Sequence, residues 1–429
     1  MSSSIRTPRI SRRTFSAGVA ASAAIAAAPR AGSAQDKTEI RMATYTVSEA
    51  WDAMITAMID EFNAQSTLAT VALEFRAGDQ YWDKLQTEYA GGQAPDITVN
   101  QSNWVIPGAS RGMFVDIYPL IERDQVDMSD LWYDMTREWV VDGGLYGGLL
   151  YATGQALYYN KGLLEAAGEA VPESGWTWDD LLASAQRLTD EANSQYGVML
   201  SSPDPPYWSC AFIHGQGGTV LNDARDECTL NSEESRAALQ WLVDLIHVHK
   251  VMPPVGTEEG QQNPFTSGKI GYYFGGTWNE SEIRSSDIEW DFLPMPAHPT
   301  TGIRSVQNGS NAWSILSTTG NVDAAWEVLK YIGGANGARA VMGAGIPGYT
   351  SVIESQEFID LHAPQDITIP LTDFQEIGHD YYPTEDAGEW WAAVEQEFGP
   401  MWSGEDTVEN STQRATDAVN EIFSRRGSF

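Results

Sequence analysis

The stretch EIRMATYTVSEAWDAMITAMIDEFN (39–63), followed by VALEF (71–75), YWDKLQTEYA (81–90) and ITV (97–99), decides the fold class. Glu39–Thr44 reads as a strand. Trp51, Met54, Ile55, Met58, Ile59 and Phe62 then recur at i, i+3, i+4 and i+7, the spacing of one apolar helix face. Val71–Phe75 is a second strand. Tyr81–Ala90 is a second helix, stopped by Gly91-Gly92. Ile97–Val99 is a short buried strand. Strands alternating with helices imply a parallel sheet with helices on both faces, and in such sheets ligands sit beyond the carboxyl ends of the strands.

Downstream the chain is more helical. Thr177-Trp178-Asp179-Asp180 has the form of a capping box opening a helix over 178–189. Ser232-Glu233-Glu234 opens a second helix that runs to His247, His249 and Lys250, and Pro253-Pro254 forbids its continuation. Ile270–Phe274 is a strand that leads into Gly275-Gly276-Thr277-Trp278. Further helices are expected over 323–332 and 408–423. With 429 residues the chain exceeds what one core usually supports, so two domains are expected.

Composition narrows the function. The formal charge is −34, and the basic residues are scattered rather than clustered, which argues against nucleic acid as a partner. Arg6, Arg9, Arg12 and Arg13 precede an Ala-rich run over 17–28, and Ala31-Gly32-Ser33-Ala34 offers small residues for cleavage before Gln35. Ser11-Arg12-Arg13-Thr14-Phe15 resembles a twin-arginine export signal. Residues 1–34 are therefore expected to be a signal peptide. Their five Arg and no acid leave −39 on the remainder. No later stretch is apolar for about 18 residues, and no Cys lies near the cleavage site. A soluble periplasmic or extracellular protein is expected. Cys210 and Cys228 are the only cysteines, and either one disulfide or two buried thiols is open to them.

Several ordered blocks resemble the extracellular solute-binding proteins of carbohydrate ABC transporters, the group that includes maltose-binding protein. They are Tyr81-Trp82-Asp83-Lys84-Leu85-Gln86 with Ala90-Gly91-Gly92-Gln93-Ala94-Pro95-Asp96-Ile97; Asp142-Gly143-Gly144-Leu145-Tyr146-Gly147 through Leu157-Tyr158-Tyr159-Asn160-Lys161; Trp176-Thr177-Trp178-Asp179-Asp180-Leu181; Phe265-Thr266-Ser267-Gly268-Lys269 through Gly275-Gly276-Thr277-Trp278; and Ala324-Ala325-Trp326-Glu327-Val328-Leu329-Lys330. The resemblance implies an α/β, two-lobed periplasmic-binding-protein fold of type II. Residues 35–151 plus 310–349 would form one lobe and 152–309 plus 350–429 the other, with three crossings making a hinge. It implies a monomer that binds a small carbohydrate, works with the transmembrane permease subunits of an ABC importer, and needs no cofactor or metal.

A sugar presents apolar C–H faces and a rim of hydroxyls, so its site needs flat aromatic surface and fixed polar groups. Trp278, behind Gly276, is the first choice for stacking, with a core position as the alternative. Trp208 sits in a Pro-stiffened loop. Asn103 and Trp104 follow the third strand, and Tyr45 and Thr46 the first. Asp79 and Gln80 precede the second helix, where the resemblance places a hydroxyl-binding acid; helix capping is the other role open to Asp79. Thr153 and Gln155 lie in the first crossing and Asn308 and Gly309 in the second. Tyr349 stands where the resemblance leads one to expect a basic residue. Of Trp390 and Trp391 one should face the core and the other reach the cleft; Trp390 is taken for the site. Isolated arginines favour a neutral ligand over an anion. A polyol or glycerol phosphodiester, bound for uptake or sensing, is the alternative ligand. An exported glycoside hydrolase is the rival of another class, since acids such as Glu280, Glu282, Glu385 and Asp386 are plentiful, but no motif accompanies them.

Overall fold

The computed structural model describes residues 37–426 apart from 79–80, 133–135, 202–206, 257–263 and 381. Its strands are β1 (Thr38–Tyr45), β2 (Ala69–Arg76), β3 (Ile97–Gln101), β4 (Val140–Val141), β5 (Gly144–Leu145), β6 (Gly148–Asn160), β7 (Tyr196–Leu200), β8 (Ile270–Gly276), β9 (Trp290–Leu293), β10 (Val306–Ile315), β11 (Ile346–Pro347) and β12 (Gly378–His379). The main sheet runs β2-β1-β3-β10-β6-β8-β7; β4 and β5 form a separate hairpin. β1 pairs in parallel with β2 and β3, as the opening alternation requires. The sheet as a whole is mixed rather than parallel. β10 is antiparallel to both β3 and β6, and β8 is antiparallel to β6. The short-range pattern could not show this, because β6 and β10 meet across about 150 residues of chain.

β6 and β10 organise the molecule. Gly148–Gly154 of β6 pairs with β10, while Gln155–Asn160 pairs with β8 and β9. One continuous strand thus belongs to two α/β halves. Alternation along it divides the core: Tyr158 packs with Tyr273 and Phe292, whereas its neighbours Leu157 and Tyr159 pack with Tyr272, Phe274 and the tryptophan-rich helices that follow.

The helix Glu49–Gln65 buries Trp51, Ile55, Met58, Ile59 and Phe62, the stripe read from its spacing, and Ser48 caps its first turn. Full burial of each such side chain contributes about 1.5–3 kcal/mol. Thr177 and Asp180 form the expected capping box. The helix from Glu233 ends at His247, three residues short of Lys250. Cys210 and Cys228 are free, buried thiols, so the disulfide alternative does not hold. Burial pushes the Cys210 thiol well up and that of Cys228 to about 11, which keeps both protonated and unreactive. The leader, residues 1–34, lies outside the described residues. Among those described, no helix is long and apolar enough to cross a membrane.

Candidate functional site

A cavity of about 260 Å³ opens where β1, β3, β6 and β10 of the first half meet the loops and helices of the second. Tyr45, Val47, Gln101, Asn103, Tyr151, Thr153, Ser310 and Asn311 line it from the sheet side. Tyr207, Trp278 and Trp391 line it from the opposite side. No charged side chain lines the cavity among the described residues.

The sheet side is held by backbone geometry and a short hydrogen-bond chain. Tyr45 closes β1, and its hydroxyl donates to Asn311 Oδ1 at 2.8 Å. Gln101, at the end of β3, donates from Nε2 to the Tyr45 hydroxyl at 3.4 Å. Burial raises the Tyr45 phenol above its ordinary pKa, so it stays a neutral donor. Trp51 Nε1 donates to the Tyr45 carbonyl, and the Trp51 ring meets Tyr151 edge-on at 5.5 Å. Asn311 lies at a register shift between β10 and β6, and such bulges re-aim side chains. Tyr151 and Thr153 are two apart on β6 and so share the cavity face.

The other side is aromatic. Tyr207 and Trp278 lie 5.9 Å apart, centroid to centroid, and Trp208 braces both from behind at 4.7 and 5.9 Å. Trp278 stands just past β8, its ring folded over Gly276. A Cβ at Gly276 would lie 2.3 Å from that ring, so any side chain there would push the ring aside. Gln155 ties the loop to the strands: Nε2 donates to the carbonyls of Tyr207 and Trp208 at 2.8 and 3.3 Å, and Oε1 accepts the amide of Gln307 at 3.0 Å.

Of the residues selected from sequence, Tyr45, Asn103, Thr153 and Trp278 come together in the cavity. Asp79 and Gln80 lie outside the described residues. The others take different places. Thr46 is exposed and donates to Asp52 at 3.2 Å. Trp104 stacks on Trp82 at 5.0 Å in a helix–helix contact. Trp208 and Gln155 are buried supports rather than walls. Gly276 makes room for Trp278, and Gly309, without a side chain, pairs with Thr153. Asn308 borders a different cavity. The Tyr349 hydroxyl donates to the Gly333 carbonyl, away from the site. Trp390 is fully buried with Nε1 on Thr384, and its neighbour Trp391 reaches the cavity.

That last correction had a signal. Trp390, Val394, Phe398 and Met401 form the buried stripe of the helix Ala387–Ser403, which leaves Trp391 off the core face. Tyr151 was legible in the same way, by two-residue alternation from Thr153. Nothing local marked Asn311 or Gln101. The acids weighed for hydrolysis are elsewhere: Glu280 bonds His362 and Arg284, and Asp386 pairs with Arg426.

Comparison with known proteins agrees with this architecture. Residues 57–365 match the family model described as bacterial extracellular solute-binding protein. A putative binding protein of Brucella abortus is 24% identical over 329 residues, covering 75% of this chain and 77% of that protein. An ABC substrate-binding protein of Listeria monocytogenes, solved in complex with cycloalternan, superposes with a TM-score of 0.84 at 24% identity, over 91% of this chain and 100% of the other. Maltose-bound MalE3 of T. maritima gives a TM-score of 0.79 at 20% identity, over 90% and 100%. The two-lobed α/β architecture expected from the sequence is the fold these likenesses share.

Proposed function

Since the chain belongs to the bacterial extracellular solute-binding proteins, we propose that it is the substrate-binding component of an ABC importer and takes a neutral sugar or oligosaccharide into the aromatic cavity. The observation that carries this reading is the lining itself. Tyr45, Tyr151, Tyr207, Trp278 and Trp391 offer aromatic surface for C–H faces, and Gln101, Asn103, Thr153, Ser310 and Asn311 offer amides and hydroxyls for a hydroxyl rim. The absence of a charged wall among the described residues favours a neutral ligand over a phosphodiester, which would call for an arginine fork. The likeness to proteins solved with cycloalternan and maltose supports the same class.

In this reading the lobes are 35–151 plus 310–349 and 152–309 plus 350–429, and β6 and β10 carry the chain between them. Sugar contacts made to both sides at once would favour a closed arrangement, by no more than the ligand's differential affinity for it. The permease subunits would read that closure. Export by the twin-arginine signal, with cleavage near Ala34, would place the protein outside the cytoplasm.

A thermal-shift screen tests the proposal, using mono-, di- and oligosaccharides, polyols and glycerol phosphodiesters. A ligand at a hundredfold excess over its Kd adds about 2.7 kcal/mol, enough to move the midpoint visibly. A shift by a neutral carbohydrate, lost in Trp278→Ala, supports the reading. A shift by phosphodiesters alone, or hydrolysis of a panel sugar, rejects it.

A further inference from the structure

Two buried glutamines stand where the central strands change partners. On β6, Gly154 pairs with β10 and the next residue, Gln155, pairs with β8. On β10, Gln307 pairs with β12 and the next residue, Asn308, pairs with β6. Gln155 is 4% exposed and Gln307 1%.

Each glutamine grips a distant segment in the same manner. Gln155 Nε2 donates to two successive carbonyls, those of Tyr207 and Trp208. Gln307 Nε2 donates to the carbonyls of His379, at 3.1 Å, and Asp380. Gln155 Oε1 accepts the Gln307 amide, which joins the two grips. A carboxamide suits this task, because its plane holds two donors and an acceptor at fixed angles and hydrogen bonds weaken steeply off-axis. The segment held by Gln155 carries Tyr207, which lines the aromatic cavity, and Trp208, whose ring meets both Tyr207 and Trp278. Trp278 in turn follows Gly276, the strand residue paired with Gln155. Thr153, on the sheet wall of the cavity, lies two residues before Gln155 on β6. Both walls of the cavity are thus referred to one side chain.

From this arrangement we propose that Gln155 is a positioning residue for the ligand, holding the ring wall at a set distance from the sheet wall, with Gln307 bracing it through its backbone amide. Gln155 is buried and does not line the cavity, so it acts on a ligand through Tyr207 and Trp208. Fixing those rings before the ligand arrives removes an ordering cost that binding would otherwise carry. The role in positioning rests on the sugar reading; the clamp itself can be read without a ligand.

Two substitutions test it. Gln155→Met keeps the reach of the side chain and removes all three bonds. Gln155→Glu keeps the acceptor for the Gln307 amide but places a carboxylate against two carbonyls. Hydrogen exchange of the ligand-free proteins, read by mass spectrometry, should show the segment 207–213 exchanging about tenfold faster in both variants, with the helix Glu49–Gln65 unchanged. Calorimetry with the carbohydrate that shifts the parent's melting midpoint, at a temperature where all three proteins are folded, should show Kd weakened about tenfold in both. A glutamine that only stabilised the fold would lower the melting temperature and leave that Kd as it was. Unchanged exchange at 207–213 overturns the clamp. Faster exchange with an unchanged Kd overturns the positioning role and leaves the sugar reading standing. If no carbohydrate binds the parent, the sugar reading fails and the positioning role with it, and exchange alone decides the clamp. Should either variant fail to fold, the other decides.

Discussion

The two walls of the aromatic cavity are built by different means. On the sheet side, Tyr45, Gln101, Thr153 and Asn311 sit on strands whose register fixes them, and a Gln101–Tyr45–Asn311 chain fixes the hydroxyl between them. On the facing side, Tyr207, Trp278 and Trp391 come from a loop, a strand end and a helix. These rings are held by other rings and by Gln155, not by a sheet ladder. A polar wall needs angular precision, because hydrogen bonds weaken steeply off-axis. An aromatic wall tolerates small shifts, because apolar contact is non-directional.

Substitutions should separate the two walls. The largest effect is expected for Trp278→Ala, a loss of about 1–3 kcal/mol in sugar binding with little change in melting temperature. Unchanged affinity, read by calorimetry, would remove Trp278 from the site. Gly276→Ala should follow closely. The backbone there is extended, with φ −108, so alanine is tolerated locally, but its Cβ displaces the Trp278 ring. A sugar affinity within twofold of the parent would mean that the ring position is unimportant. Tyr45→Phe strikes the polar wall: it leaves Asn311 Oδ1 without its donor, at about 1–2 kcal/mol measured as unfolding free energy. If denaturant melts of the two chains superimpose, the chain of hydrogen bonds does not hold that wall.

The remaining effects concern pH. His214 has a folded pKa depressed to about 3, so the unfolded chain binds a proton there that the folded chain refuses. Its stability contribution is present above the ordinary histidine pKa and lost as pH falls towards 3. His214→Phe should therefore flatten the fall in melting temperature over that window. Glu138 works in the opposite sense: raised to about 7, it favours the folded state at low pH and loses that contribution as pH rises through 7. Glu138→Gln should remove the second trend and leave the first. Parallel melting curves for all three proteins across pH 4–8 would show that neither group is coupled to folding.

Much of this was legible beforehand for a physical reason. Period and punctuation are local properties, and they located the β1–β3 unit, the helix Glu49–Gln65 with its buried stripe and the Thr177–Asp180 capping box. Strand ends are local too, which is why Tyr45, Asn103 and Trp278 could be singled out as neighbours of one cavity. Trp390 and Trp391 are told apart by the buried stripe of the helix Ala387–Ser403, which takes Trp390 into the core and leaves Trp391 towards the cavity.

Other features depend on segments far apart in the chain. The sequence by itself determined the opening strand–helix alternation, several later helices and the strand before Gly275, that the protein is acidic, and which ordered blocks it shares with solute-binding proteins. Only the tertiary structure decided that β10 runs antiparallel between β3 and β6, that Asn311 and Asn308 face different cavities, and that Gln155 holds an aromatic loop some fifty residues away. It also kept Cys210 and Cys228 apart as buried thiols. The physical reason is range: side-chain periodicity is set by neighbouring dihedral angles, whereas pairing partners and cavity walls are set by the packing of segments whose meeting leaves no mark on either one alone.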